Sequence, residues 1–580
     1  MKLLRNEQIQ QPTLYDLLLF NTKGHNISTD SYKSLFINLA SSSEANVLCV
    51  KEYFGVCLVK PSENMAHPIF GFSEFISALA LLGIIYTISN ILHKFRLAVG
   101  WSWISIKLII TFFALLVLVT DIWFSKQWLV PNFLDSQILV QGGFGILVIW
   151  FVYKVHTTVT KPSEFHKKNN KVYFEELKNI IKKGDEKELS VIADELRYSA
   201  KSLIELSTEV VEQGNNNKYA EILNLIGDKK LCKQIIVSSP DTAEIFFNTM
   251  AEQQKYPKSI GDFINNISVE ALMNKDSRLH QENTCNSGLL SYTKPFSNAL
   301  YGNYKLIEAL YPNSPLDIPY DVLNSQQLEL YLKVLLITIK SYLIQTEGSC
   351  HPRTLKAAFA TIRYPCRNLY KFNNINSEIL SNELYKQFNV IVQSVNKVVD
   401  CISQLENPQP EAYIYLYNQL VDFILEIIKD TAKVQWSPNI IWHIHCDIIW
   451  HNFFNQIIFV PKGQEIKKKV WEIINNLLYK ALLNKILELE KGSYEAASVF
   501  GLLLNVLGLI IREEENNEQK KIHLNLLKWI KKNYLRLRAD NLCAANLLLV
   551  HQVRYDDSNK RIIRTNANGN KQYLHLEELL

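Results

Sequence analysis

Three apolar stretches near the front of this chain set the main constraint on its fold. "FISALALLGIIYTISNIL", between Glu74 and His93, runs eighteen residues without a formal charge, and so does "SQILVQGGFGILVIWFVY", between Asp135 and Lys154. A third, "WISIKLIITFFALLVLVTDIWF" (Trp103–Phe124), holds Lys107 one turn from its start, where an ammonium can snorkel to an interface. At a rise of about 1.5 Å per residue, each has the length to cross roughly 30 Å of hydrocarbon. Trp101 and Trp103 at one end and Trp123 and Trp128 at the other read as aromatic belts. The sequence therefore predicts a transmembrane domain over 69–155, with spans at about 72–92, 103–124 and 136–153. The alternative is a soluble core built on three very apolar helices.

Basic residues set the expected orientation. Lys94 and Arg96 follow the first span, and Lys154, Lys161, Lys167, Lys168 and Lys171 follow the last, whereas the loop between the other two offers only Lys126 against Asp121 and Asp135. That loop is expected outside and everything from Lys154 onward in the cytoplasm, so the protein is read as a multi-pass protein of the inner (cytoplasmic) membrane. Three crossings then place the N-terminal tail, residues 1–68, outside. Within it, "ANVLCVKEYFGVCLVK" alternates like a small β-hairpin. Cys49 and Cys57 lie symmetrically about Tyr53, so they could face each other and pair in an oxidising compartment; a chance spacing is the alternative. The N-terminus lacks the apolar core and small-residue cleavage site of a signal peptide.

Gly142, Gly143 and Gly145, in "QGGFG", let another helix backbone approach closely, either within the domain or from a second copy. Because three helices make a thin bundle, a homo-oligomer is expected. Glu74 reads as an interfacial acid at the outer end of the first span.

The remaining chain is too long for one core. At 48% hydrophobic and 21% charged residues it is close to a soluble average, and a net charge of +5 is too small to imply a nucleic-acid partner. Segments such as "EKELSVIADELRYSAKSLIELSTEVV" and "QEIKKKVWEIINNLLYKALLNKILELE" place apolar residues at i, i+3, i+4 and i+7, and prolines fall between such segments. No comparable period-two strands are read after residue 160. The expected fold class is thus all-α: a three-span transmembrane domain, then a large irregular cytoplasmic array of helical hairpins, with a small β-containing N-terminal tail. A boundary is expected near residue 280, at the polar loop Glu282–Phe296, dividing a first helical region (156–280) from a second (281–580). The C-terminal "RTNANGNKQYLHLEELL" reads as a flexible or docking element. Ala496–Ile511 is too short to span comfortably, and Asn439–Val460 carries polar residues through its middle; both read as core helices.

Chemistry-bearing residues concentrate in "WHIHCDIIWH" (Trp442–His451). On a helix His443, Asp447 and His451 form one stripe, and adjacent members could share a metal ion. The first and last stand about 12 Å apart along the axis, so one ion cannot bind all three. The competing reading is a structural seam in which Asp447 accepts hydrogen bonds from both histidines. Nucleophile elbows, phosphate loops, zinc-protease and dinucleotide motifs are all missing from the sequence. In "SCHPR" (Ser349–Arg353), Pro352 suits a helix start. The nine cysteines form no C-x-x-C pair, and no cofactor is implied.

These observations favour a non-enzymatic, membrane-anchored sensor or scaffold whose cytoplasmic domain takes a protein or small ligand. A self-associating bacterial effector, as in defence against phage, is a specific version of it. A membrane metalloenzyme using His443, Asp447 and His451, or an oligomeric channel with Gln141 facing a pore, are the alternatives.

Overall fold

The computed structural model describes residues 49–577 except 54–55, 61–70, 89, 102, 132–136, 210–217, 285–292, 320–322, 347–350, 375–380, 407–409, 412, 435–437, 513–516 and 566–568. These residues are mostly helical with two small antiparallel sheets, and the chain divides into two units. The first comprises residues up to Ile88 and Trp103–His156; the second comprises Ser89–Ser102 and Thr157 onward.

In the first unit, strands β1 (Lys51–Tyr53) and β2 (Val56–Val59) form the expected hairpin. Cys49 and Cys57 are disulfide-bonded with Cα atoms 5.5 Å apart. They are not directly opposed, as the symmetry about Tyr53 suggests, because the register pairs Cys57 with Glu52. A third strand, β3 (Val130–Pro131), adds to β2.

Three helices complete this unit: α1 (Phe72–Ile88), α3 (Trp103–Ser125) and the first part of α4 (Gln137–Thr160). Phe75, Val117 and Phe144, one from each, are buried together. The backbone N–H of Phe72 donates to Asp121 at 2.6 Å, so the start of α1 lies beside the end of α3.

Among the described residues two helices, not the expected three, are long and apolar enough to cross a membrane: Lys107–Ser125 and Gly142–Thr160. The first expected span, 72–92, stops at Ile88. Its 17 residues rise only about 26 Å, short of a typical hydrocarbon core. Beyond it, α2 (Ile91–Gly100) buries Phe95 and Val99 against α5 (Asn170–Lys183) and α6 (Glu186–Glu195), within the second unit.

The second unit is a layered array of helices around one continuous apolar core. Local signals explain its elements. Asp185 closes a capping box with Glu188 at the start of α6, and Asn324 does the same with Gln327 for α7 (Ser325–Gln345). Helix α7 packs along α8 (Glu383–Ile402). Most of the loop expected to mark a boundary lies outside the described residues, but the flanking chain is tied together and the unit runs across residue 280. The buried Glu282 carboxylate accepts the backbone N–H groups of Phe296 and Ser297 at 2.9 and 2.8 Å and the Ser297 hydroxyl at 2.7 Å. Ala496–Ile511 overlaps α9 (Tyr494–Leu507), which is buried from Ala496 through Leu507, as a core helix should be.

The expectation of no strands after residue 160 fails at the C-terminus. Val553–Asp556 (β4), Arg561–Thr565 (β5) and Lys571–His575 (β6) form a three-stranded meander. Their polar faces hide the signal, yet Gln572, Leu574 and Leu576 alternate inward with Lys571, Tyr573 and His575 outward. The meander is docked rather than loose. Leu509 N–H donates to Gln572 Oε1 at 2.9 Å, and a Cβ at Gly508, which has φ of 93°, would lie 2.6 Å from that oxygen.

Candidate functional site

"WHIHCDIIWH" folds as a short helix (Pro438–Trp442) that widens into a π-helix over His443–Trp450 and closes at His451–Phe453. π-Turns are rare and occur often at functional sites, so the contacts of each polar residue decide the reading.

His443 and Asp447 meet, Nδ1 to Oδ2 at 2.8 Å, and the Tyr385 hydroxyl of α8 lies 2.8 Å from His443 Nε2. His443 thus lies between the Asp447 carboxylate and the Tyr385 hydroxyl, an Asp–His–Tyr chain whose donor and acceptor roles follow the imidazole tautomer. Both His443 and Asp447 are exposed, at 40% and 62%. His451 does not join them. The chain turns back after Phe454, and the Phe459 ring covers the His451 imidazole with centroids 4.1 Å apart. The stripe is therefore a pair plus a separate imidazole in tilted contact with Phe459. Among the described residues no group of three or more His, Cys, Asp or Glu side chains is placed to hold a metal ion.

His445 and Cys446 point into the protein. His445 is fully buried, with Asn505 Nδ2 of α9 3.3 Å from its Nδ1. Burial, with His551 nearby, lowers its pKa to about 3, so the ring is neutral. His445 Nε2 and Asn505 Oδ1 lack partners among the described residues. Burial, reinforced by Asp447, pushes the Cys446 thiol up to about 12, which removes it as a thiolate nucleophile or ligand near neutral pH.

The residue that sequence reading missed is Arg564 on β5. Its guanidinium is buried, donating from Nε and one NH2 to the Asn505 carbonyl at 3.2 and 2.7 Å, and lies 5.6 Å from the Trp442 ring centroid. Asn505 belongs to the last turn of α9, where carbonyls lack helical partners and carry the negative end of the macrodipole. Arg564 thus caps α9 and pins the C-terminal meander and Trp442 to one helix end. Burial, with Arg512 nearby, lowers its pKa from the ordinary arginine value. The signal available in sequence was the second arginine of "RIIRT", set directly after two isoleucines.

The membrane-packing candidates lie elsewhere. Gly142 and Gly143 are exposed on α4, and a Cβ built at Gly142, Gly143 or Gly145 would meet nothing within 4 Å. No intramolecular approach among the described residues uses these glycines. In the candidate spans, only 6% of Lys107–Ser125 and 11% of Gly142–Thr160 is buried. Phe112, Leu115, Ile146 and Ile149 are between 59% and 70% exposed. The space among α1, α3 and α4 is lined by Phe75, Leu79, Ile110, Phe113, Val148 and Phe151 and holds about 20 Å³. That is room for little more than one water, with no polar wall to hold it.

Comparison with protein-family models, with curated proteins and with solved structures finds no match to this chain.

Proposed function

We propose that this chain is a membrane-anchored helical scaffold or sensor rather than an enzyme, with α3 and α4 embedded in lipid. The observation that carries the reading is the exposure of these two helices. An apolar helix in a soluble core is mostly covered, whereas these leave large aliphatic and aromatic side chains bare, at 6% and 11% buried. Lipid is the solvent that makes such a surface stable.

The finer topology rests on β3. The loop between α3 and α4 is hydrogen-bonded into the same sheet as the N-terminal hairpin, which favours β1, β2 and β3 lying on one side. With Lys154, Lys161, Lys167, Lys168 and Lys171 on the other side, that side is cytoplasmic by charge. This topology requires α1 to cross alongside α3 as a short span, which a bilayer accommodates by thinning locally. The Cys49–Cys57 bond agrees with an oxidising outer compartment.

For the helical body, the contacts of "WHIHCDIIWH" favour architecture: a capped helix end, a neutral buried imidazole and a protonated thiol. A ligand-binding or scaffolding body needs no more chemistry than this. Self-association through Gly142, Gly143 and Gly145 extends the reading, since these positions are open on α4. An effector that perturbs the membrane, as in defence against phage, is its most specific form.

The experiment is characterisation of the detergent-solubilised full chain. The scaffold reading predicts a particle mass that is a multiple of 67.0 kDa, metal well below one ion per chain, and no unitary conductance in planar bilayers. Stoichiometric zinc lost on mutating Asp447 would replace it with the metalloenzyme reading, and single-channel steps with the channel reading.

A further inference from the structure

Where the second unit begins, the chain forms a groove of about 880 Å³, built from the end of α2 and from residues 158–169. Its rim carries Lys161, His166, Lys167 and Lys168 against one acid, Glu164. Among the described residues neither Lys161 nor Lys168 is in an ion pair. His166 Nε2 lies 3.8 Å from Glu164.

The wall behind these cations is rigid. Arg96 of α2 donates through Nε and one NH2 to the buried Glu195 carboxylate at 2.9 and 2.7 Å, and through its other NH2 to the Val159 and Thr160 carbonyls at 3.0 and 3.1 Å. It therefore caps α4 while its own charge is neutralised. The turn that follows is fixed as well, because Asn169 accepts the His166 N–H at 2.8 Å and donates to the Glu164 carbonyl at 2.9 Å. The lysines are exposed on a preformed concave frame.

Chain connectivity locates the groove. One wall ends at Gly100, three residues before α3 starts, and the other begins at Thr158, inside the last turns of α4. Both walls are thus covalently continuous with the helices read as spans, so they lie within reach of the headgroup layer. Basic groups at that depth attract anionic headgroups, and a pocket between span ends selects one headgroup over diffuse attraction.

We propose that this groove binds the phosphate headgroup of an anionic lipid, with Lys161, Lys167 and Lys168 as the cations that hold it. The site rests on the membrane reading above and gives the anchor a lipid-composition dependence.

The test uses the full chain, purified in a neutral detergent and titrated with short-chain phosphatidylglycerol, the matching phosphatidylcholine and inorganic phosphate, with occupancy followed by native mass spectrometry. Saturable binding of phosphatidylglycerol alone is expected. The K161E/K167E/K168E variant should weaken it on the order of 100-fold, and K161R/K167R/K168R should retain it. Should charge reversal reduce the helical circular dichroism, the K161Q/K167Q/K168Q variant gives the same comparison without added acid. Equal binding of phosphatidylcholine, equal competition by inorganic phosphate, or undiminished binding by the folded variants would overturn the proposal. Alkaline extraction of native membranes, run in parallel, separates the two failures. A chain that stays in the membrane but binds no phosphatidylglycerol loses only the groove; a chain that is washed out loses the anchor as well.

Discussion

Val59, the last residue of the N-terminal hairpin, is paired through its backbone with Val130, in the loop between the two apolar helices α3 and α4. A two-residue strand contributes little stability by itself, but under the proposed membrane reading it puts the hairpin and this loop on the same side of the bilayer.

Cysteine accessibility reads that arrangement directly. In intact cells, after gentle reduction, a membrane-impermeant maleimide should label Cys49 and Cys57 and leave the exposed Cys543 untouched until the membrane is permeabilised. Labelling of Cys543 from outside would reverse the topology.

Arg564 is expected to be the most sensitive residue of the C-terminal meander. Removing it leaves the Asn505 carbonyl and the end of α9 buried without a donor. We expect Arg564→Ala to cost about 3 kcal/mol in urea unfolding, at the upper range for hydrogen bonds to a charged group. Asp447→Ala, which removes an exposed pair, should cost less than about 1 kcal/mol. Equal effects would mean that the cap has been misread.

His445 should make stability depend on pH. Its folded pKa, near 3, lies below the ordinary 6.5, so between these values the unfolded chain binds the extra proton and folding weakens as pH falls. Above about pH 6.5 the contribution is level; by pH 4 the loss is on the order of 3 kcal/mol. Thermal unfolding of His445→Asn and wild type across pH 4 to 7 should converge toward the acid end. Parallel curves over the whole range would show that this imidazole does not carry the effect.

The architecture was legible in the sequence wherever burial is periodic. The helices of the body, the buried character of Ala496–Leu507 and the β1–β2 hairpin follow from spacing alone. What escaped depends on tertiary partners. The 72–92 stretch reads as one apolar run, but α1 ends at Ile88, and α2 buries Phe95 and Val99 within the second unit, where Arg96 pairs with the buried Glu195. The meander escaped because its strands are short and one face is polar. The histidine stripe was half legible: the i, i+4 spacing brings His443 to Asp447, whereas only the fold-back after Phe454 sends His451 to Phe459.

Gly142 and Gly143 test assembly. Because their Cβ positions are open, leucine there should be tolerated by the single chain. Gly142→Leu with Gly143→Leu should lower cross-linking between copies in the membrane while membrane retention stays as in wild type. Unchanged cross-linking would place the contact between copies on another face.

The central claim, that α3 and α4 are solvated by lipid, is tested most directly by washing cell membranes with alkaline carbonate. The account predicts that the full chain stays in the membrane pellet and is released only by detergent. Recovery of a folded, monodisperse chain in the carbonate supernatant would contradict it.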